Sequence, residues 1–261
     1  MITLANISKT YGVSGHRGRI DVLANLSFSI PRGELTVVVG PSGCGKTTLL
    51  NIISGLDKSF GGQVAFCDRQ YKIGYMFQTP SLIPWRTIWE NIALGCEIEG
   101  VPRGEFEPRA VELLDRYGLQ EFAKAYPHSL SQGMQQRVAF IRLILFGANL
   151  LLLDEPFSRL DYIARRELYR DLQSLFSDAD ITVLAVTHDI EEAVILADKV
   201  VVLSPRPAEL VSEVAIPLDR SQRINSAPGV LGEMTPYLAR LWQDLKRSQR
   251  STDTIDLHSL Q

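Results

Sequence analysis

Cysteine is scarce. The chain of 261 residues holds three, Cys44, Cys67 and Cys96. They are widely spaced and odd in number, which excludes a disulfide-stapled miniprotein and suits a reducing cytosol better than an oxidising compartment. No stretch reaches the roughly 18 uncharged apolar residues of a membrane-spanning helix. The nearest, from Ala139 to Leu153, is interrupted by Arg142 and Asn149. The opening residues, MITLANISKTYG, lack the basic start and apolar run of a signal peptide. No internal repeat or low-complexity run stands out. Positive charge is not in surplus: Lys+Arg number 27 against 30 Asp+Glu, a net charge of -3. That argues against nucleic acid as the main partner, which demands a basic patch. An apolar fraction of 45% excludes a disordered chain. The length allows one large core or two modest ones.

What is present is an alternation of short β-rich runs and helical patterns. Leu35–Val39, Ile73–Phe77, Leu150–Asp154, Thr182–Thr187 and Val200–Leu203 read as strands. Three of them are apolar at nearly every position, the pattern of strands buried on both faces of a parallel sheet. An α/β domain follows. From about Thr87 to Gly147 the pattern is mostly helical, with helices over Arg109–Tyr117 and Gln132–Phe146, and reads as a helical subdomain inserted between core strands. After Pro217 the chain is polar apart from one amphipathic segment. There Thr235 reads as an N-cap and Pro236 as the first helical residue. Leu238, Leu241, Trp242 and Leu245 form a stripe that reads as docking on the core, the alternative being a dedicated partner site.

The segment Gly40-Pro41-Ser42-Gly43-Cys44-Gly45-Lys46-Thr47-Thr48 follows the strand Leu35–Val39 and opens a helix that stops at Gly55. This is G-x-x-x-x-G-K-[ST] in strand–loop–helix context. Its glycines let successive backbone N–H groups point into one concavity, and the helix N-terminus adds partial positive charge. Lys46 supplies a mobile charge for β- and γ-phosphates, and the Thr47 hydroxyl is placed to ligate Mg2+. Cys44 reads as a small side chain tolerated in the loop rather than as a redox switch.

Two strand ends carry further chemistry. Leu150–Asp154 ends in Asp154-Glu155, at the sheet edge where α/β folds bind ligands. Such acids can be simply solvated. Beside a phosphate loop, Asp154 suits the Mg2+ shell and Glu155 suits the base that orients and deprotonates a water. His188 ends Thr182–Thr187. By position it is either a structural or solvated histidine or one that hydrogen-bonds phosphate or water.

Taken in order, these motifs resemble the ATP-binding subunit of an ABC transporter, over Tyr11 to His188. The resemblance implies an α/β fold: a P-loop core with a mainly parallel sheet, an N-terminal antiparallel β region and an inserted helical subdomain. It divides the chain into an ATP-binding core at 1–84 and 148–216, the helical subdomain at 85–147 and an extension at 217–261. It implies ATP and Mg2+ as ligands and ATP hydrolysis as the activity. It further implies that Tyr11 stacks on adenine, that Gln78 links Mg2+ and water to the helical subdomain, and that His188 is the switch histidine. Leu130-Ser131-Gln132-Gly133-Met134-Gln135-Gln136-Arg137 resembles the signature motif LSGGQ. In this family the motif reaches ATP on a second copy, which implies a head-to-tail dimer, read as a homodimer with pairing to a related cassette as the alternative. Independently, Ser131 is an N-cap candidate whose helix N-terminus can face an anion. Ser158-Arg159-Leu160-Asp161 resembles the loop at the dimer contact, with Ser158 and Asp161 the matching residues.

Three departures stand out. Gln132 replaces a glycine: its side chain points outward, or the position needs positive φ and the site is strained and slowed. Met134 replaces glutamine, a milder change. Arg159 replaces a small residue and either adds a cross-dimer contact or is solvated. Thr79-Pro80-Ser81-Leu82-Ile83-Pro84-Trp85-Arg86-Thr87 resembles the PWRT segment of the nitrate/sulfonate/taurine importer branch. Trp85 then suits docking against a permease helix, the alternative being ordinary packing in the core. That resemblance implies separate permease subunits, a solute-binding protein acting through them, and a peripheral position on the cytoplasmic face of the bacterial inner membrane. A soluble ABC-type ATPase outside transport is the competing reading. A P-loop phosphotransferase is a third, and it leaves the signature motif unexplained.

Overall fold

The computed structural model describes residues 1–12, 18–67, 71–158, 160–178, 181–225 and 228–258. Its larger sheet has six strands: β3 (Leu35–Val39), β5 (Ile73–Met76), β6 (Leu150–Asp154), β7 (Thr182–Thr187), β8 (Lys199–Leu203) and β9 (Leu210–Ala215). Their order is β5-β6-β7-β3-β8-β9, parallel throughout except for antiparallel β8–β9. Every residue of β3, β6 and β7 is buried, as their unbroken apolar runs require. Alternate residues serve different layers. Val37, Val39, Leu151, Leu153, Val183 and Ala185 pack toward the helices of one face. Val38, Leu150, Leu152, Leu184 and Val186 pack toward α1 (Lys46–Ile53) and a second sheet on the other.

That second sheet is antiparallel, ordered β2-β1-β4, from β1 (Ile2–Gly12), β2 (Arg19–Ile30) and β4 (Gly61–Phe66). Leu49, Leu50, Ile52 and Ile53 of α1 share one buried cluster with Ile2, Leu4 and Leu26. The helix that opens at the phosphate loop is thus clamped between the two sheets.

Between β5 and β6 the chain forms α2 (Ile88–Ile98), α3 (Arg103–Arg116) and α4 (Gln132–Phe146). Thr87 and Glu90 form a reciprocal capping box at the start of α2. Ser131 caps α4, and Gly147, at φ 68, ends it in the left-handed conformation open to glycine. After β6 come α5 (Tyr162–Asp178), α6 (Ile190–Leu196), α7 (Arg220–Asn225) and α8 (Pro228–His258).

Two helix starts differ from the sequence reading, both at prolines. The helix expected over Arg109–Tyr117 begins at Arg103, with Pro108 inside it. The helix expected to begin at Pro236 begins at Pro228. A proline inside a helix removes one backbone bond. Burial upstream offsets that loss: Phe106 is buried ahead of Pro108 and Met234 ahead of Pro236. Of the expected C-terminal stripe, Leu241 is buried and Leu238 and Leu245 pack on the core, whereas Trp242 is 55% exposed. Among the described residues no helix is long and apolar enough to cross a membrane. All three cysteines are free.

Candidate functional site

After Val39 the backbone turns through residues 40–45 into α1. Gly43 adopts φ 76 and Gly45 φ 122, where L side chains are strained. A Cβ on Gly45 would stand 2.8 Å from both Leu23 Cδ2 and Val22 Cγ1. Strand β2 closes over the loop there, and only glycine fits. Lys46 crosses the loop and donates to the carbonyls of Gly40 at 2.8 Å and Pro41 at 3.0 Å. A helix N-terminus behind curled backbone amides is a ready anion site.

Strand β6 delivers the acids opposite. Thr47 Oγ1 donates to Asp154 Oδ2 at 2.9 Å, joining the phosphate loop to the strand end. Burial raises the Asp154 carboxyl above its ordinary value. The Thr47 hydrogen bond opposes that shift, and the Glu155 charge adds to it. Glu155 leaves the strand at φ 45, a conformation that costs a non-glycine residue about 1–3 kcal/mol. Neighbouring groups hold it there. Its amide donates to Val186 O at 3.0 Å, and its carbonyl accepts from Ser158 Oγ at 3.0 Å. The side chain ends between two others: Oε2 accepts from Gln78 Nε2 at 3.3 Å and Oε1 meets His188 Nδ1 at 3.1 Å. The ends of β5, β6 and β7 thereby converge on one carboxylate.

These groups line a cavity of about 490 Å³. Of the residues singled out in the sequence, Tyr11, Ser42, Gly43, Gly45, Lys46, Thr47, Thr48, Gln78, Asp154, Glu155 and His188 lie on its wall. Gly40 and Cys44 are buried and Pro41 half-buried in the loop itself, off the cavity wall. Burial pushes the Cys44 thiol up, which does not favour the reactive thiolate. Tyr11 is tethered: its hydroxyl donates to Asp57 Oδ2 at 3.0 Å, and Lys9 Nζ lies 4.6 Å above its ring. Burial works to raise the Asp57 carboxyl. Hydrogen bonds from Lys9, the Ser59 amide and Tyr11 outweigh it and hold the group below its ordinary value.

Thr47, Asp154 and Gln78 offer oxygen donors of the kind Mg2+ takes. Among the described residues no three or more His, Cys, Asp or Glu side chains cluster to hold a metal. A cation here would take its remaining ligands from phosphate and water, the usual habit of Mg2+.

Ser131, Gln132 and Gly133 do not line this cavity. Ser131 Oγ accepts from Met134 N at 3.3 Å, as an N-cap does. Gln132 lies in the first turn of α4, exposed and outside the positive-φ residues, so glutamine is unstrained there. Met134 is half-buried against the core. Gln136, buried, donates from Nε2 to Pro156 O at 2.6 Å and ties α4 to the turn carrying Glu155. Within the chain Asp161 accepts from Ala164 N at 2.9 Å at the start of α5, and both Ser158 and Asp161 are exposed. Arg159 lies outside the described residues.

Trp85 is 77% exposed and not in the core. Its loop is nonetheless fixed. Asn91 accepts from Ile83 N at 2.7 Å and donates to the carbonyls of Ile83, Arg86 and Thr87. Arg142 of α4 donates to the carbonyls of Pro80 and Ser81.

The sequence reading missed four residues. Val22 and Arg206 line the cavity, and Lys9 and Asp57 brace Tyr11. For Lys9 and Asp57 no local pattern exists, because 48 positions separate them. Arg206 had a signal: a cation just past the buried strand β8.

Residues 23–158 match the family model described as ABC transporter. A taurine import ATP-binding protein of Rhizobium johnstonii is 36% identical over 242 residues, covering 90% of this chain and 92% of its own. An aliphatic sulfonates import ATP-binding protein of Burkholderia lata is 42% identical over 208 residues, covering 76% of this chain and 75% of its own. Among solved structures, a dimeric ATP-binding cassette in a post-hydrolysis state bound to ADP and Pi superposes with a TM-score of 0.72 at 31% identity, covering 84% of this chain and 100% of that one. The chain belongs to the ABC transporter family, as an ATP-hydrolysing, ATP-binding subunit of the importer branch.

Proposed function

We propose that the chain powers uptake of a small solute, such as nitrate, a sulfonate or taurine, through separate permease subunits. In this reading it is a homodimer that closes on two ATP molecules and reopens after hydrolysis. The observation that carries the reading is the Glu155 carboxylate, held between Gln78 and His188 beside the Thr47–Asp154 pair.

Each residue then has a task. Backbone amides of 40–48 and the Lys46 ammonium bind the phosphates. Tyr11, braced by Asp57 and Lys9, stacks on adenine. Glu155 orients the attacking water and takes its proton, while His188 fixes that carboxylate and reaches toward the γ-phosphate. Thr47, Asp154 and Gln78 would hold Mg2+, which when bound neutralises charge on the phosphates.

Ser131, Gln132 and Gly133 serve the partner's ATP. They lie off their own cavity, at a capped helix N-terminus. A Cβ at Gly133 would meet only Leu160 Cδ2, at 3.4 Å, so nothing inside the chain crowds that side. Ser158 and Asp161 line the same seam. A twofold axis makes such a contact self-complementary, and ATP favours the closed pair because it touches both halves.

The exposed Trp85, on a loop pinned by Asn91 and Arg142, suits a permease helix. A groove lined by Thr87, Trp89, Val101 and Phe106 starts two residues further along the chain. A solute-binding protein would act through the permease. The chain would sit peripherally on the cytoplasmic face of the bacterial inner membrane, with no part for nucleic acid. Its working units would be 1–84 with 148–216, 85–147 and 217–261.

Glu155→Gln tests the reading. It keeps the hydrogen-bonding shape and removes the base, so phosphate release should fall about 100-fold or more. Light scattering should show a dimer in saturating ATP. A variant that stays monomeric there would refute the ATP-clamped dimer.

A further inference from the structure

The turn after β8, Ser204-Pro205-Arg206-Pro207, brings a second cation to the nucleotide cavity. Arg206 lines that cavity together with Lys46, Thr47 and Tyr11. A Cβ built on Gly43 would lie 3.3 Å from Arg206 Nη2, so the guanidinium rests against the middle of the phosphate loop. Its charge is felt at the adjacent Cys44 thiol. Lys46 and Arg206 are the two permanent cations on the cavity wall. Lys46 is buried and bonded to two loop carbonyls. Arg206 is exposed and, among the described residues, makes no hydrogen bond or ion pair.

Its mount is rigid. Prolines on both sides restrict the backbone. Ser204 N donates to Glu209 O at 3.0 Å and Glu209 N to Ser204 Oγ at 3.0 Å, closing the turn. Ala208 N donates to Val22 O at 2.8 Å and Ala24 N to Ala208 O at 3.0 Å, fastening it to β2. A guanidinium carried on a fixed turn loses little freedom when an anion arrives, and its planar fork matches phosphate oxygens.

We propose that Arg206 is a binding residue for ATP, gripping the phosphate chain from the Gly43 side within the same subunit. It rests on the ATPase reading of the site and adds a contact from a part of the chain that reading leaves idle. Arg206 acts at binding, before any dimer closes.

The test is equilibrium binding of ATP, ADP and adenosine to the full chain. Protein is kept dilute enough to remain monomeric, and wild type is compared with Arg206→Ala and Arg206→Lys. Loss of one charge-assisted contact should weaken ATP and ADP about tenfold in the alanine variant. Lysine, a point charge without the fork, should restore part of that loss. Adenosine binding, followed by NMR shifts, should not change, nor should the melting temperature without nucleotide. Equal ATP affinity in wild type and Arg206→Ala overturns the proposal. So does an equal loss with adenosine. Wild-type protein that bound no ATP would instead overturn the reading of the site.

Discussion

Replacing Arg223 with methionine should destabilise the protein by about 4 kcal/mol, within the range for breaking a buried charged network. The arginine is fully buried, in the C-terminal extension, and acts on α6. A helix ends with carbonyls that lack intrahelical partners. Arg223 Nη1 donates to the carbonyls of Val194, Ile195 at 3.1 Å and Ala197 at 2.8 Å, while Nε donates to Leu218 O at 3.2 Å. Burial lowers its pKa to about 10, so it remains a full cation at neutral pH. Each net hydrogen bond is worth about 1 kcal/mol, and each buried carbonyl left without a donor costs about 1–3 kcal/mol. Burying the charge offsets part of this in the wild type. Methionine keeps the apolar stem as far as the position of Nε and removes the guanidinium, so the lost bonds dominate. The assay is urea unfolding with an unchanged slope. The melting temperature should fall by about 8–16 °C, at about 2–4 °C per kcal/mol for a chain of this size. Arg223→Lys, which keeps the charge without the fork, should lose about half as much. A loss below about 1 kcal/mol for Arg223→Met would refute the capping argument. ATPase rate is a second readout, because α6 starts at the Asp189 cap next to His188.

Two further outcomes concern the same edge of the sheet. Burial lifts the Glu192 carboxyl to about 7, against the pull of its 2.6 Å hydrogen bond from Thr187. Between its ordinary 4.5 and about 7 the folded state binds more protons than the unfolded one, so stability falls as pH rises through that window and is flat above it. The span is on the order of 3 kcal/mol. Glu192→Gln should remove that slope, and parallel urea midpoints for the two proteins from pH 5 to 8 would sink the assignment. Gly45→Ala places a Cβ 2.8 Å from Val22 and Leu23 at φ 122. It should cost about 2–4 kcal/mol and abolish ATP binding by calorimetry. Wild-type affinity in that variant would show that the loop can open without loss.

The sequence was legible where one force acts alone. Strands β3, β6 and β7 are buried on both faces, so their composition carries no competing signal. The caps of α4 are local, and Ser131 and Gly147 mark both ends. The residues themselves said little of β1 and β2, which alternate burial imperfectly and change register between Leu4 and Ile7. The starts of α3 and α8 were masked by Pro108 and Pro236, because burial of Phe106 and Met234 overrides proline's local cost. The phosphate loop and the two strand-end motifs were readable as chemistry. Glu155 at φ 45 was not, since only packing between Val186 and Ser158 forces that conformation. Arg206 was missed although it is a cation just past the buried strand β8, because that placement does not by itself say that the turn meets the loop at Gly43.

Helix α4 joins three parts of the chain. Its 15 residues span roughly 22 Å at 1.5 Å per residue. Ser131 caps one end, Gln136 holds Pro156 next to the Glu155 carboxylate, and Arg142 grips Pro80 and Ser81 near the other end. The loop that displays Trp85 is therefore fastened twice to the Glu155 edge of the cavity. One route runs back along the chain to Gln78 and its hydrogen bond with Glu155. The other runs through Arg142, along α4 and out through Gln136. A hydrogen-bonded helix resists compression, so a displacement of the Trp85 loop that kept both Arg142 bonds would pass into α4. Absorbing it in the loop alone would break the Arg142 bonds to Pro80 O and Ser81 O, each worth about 1.5–3 kcal/mol as a bond from a charged group. A shift that kept those bonds would carry Ser131 at the α4 N-cap and Gln136 beside Pro156 together.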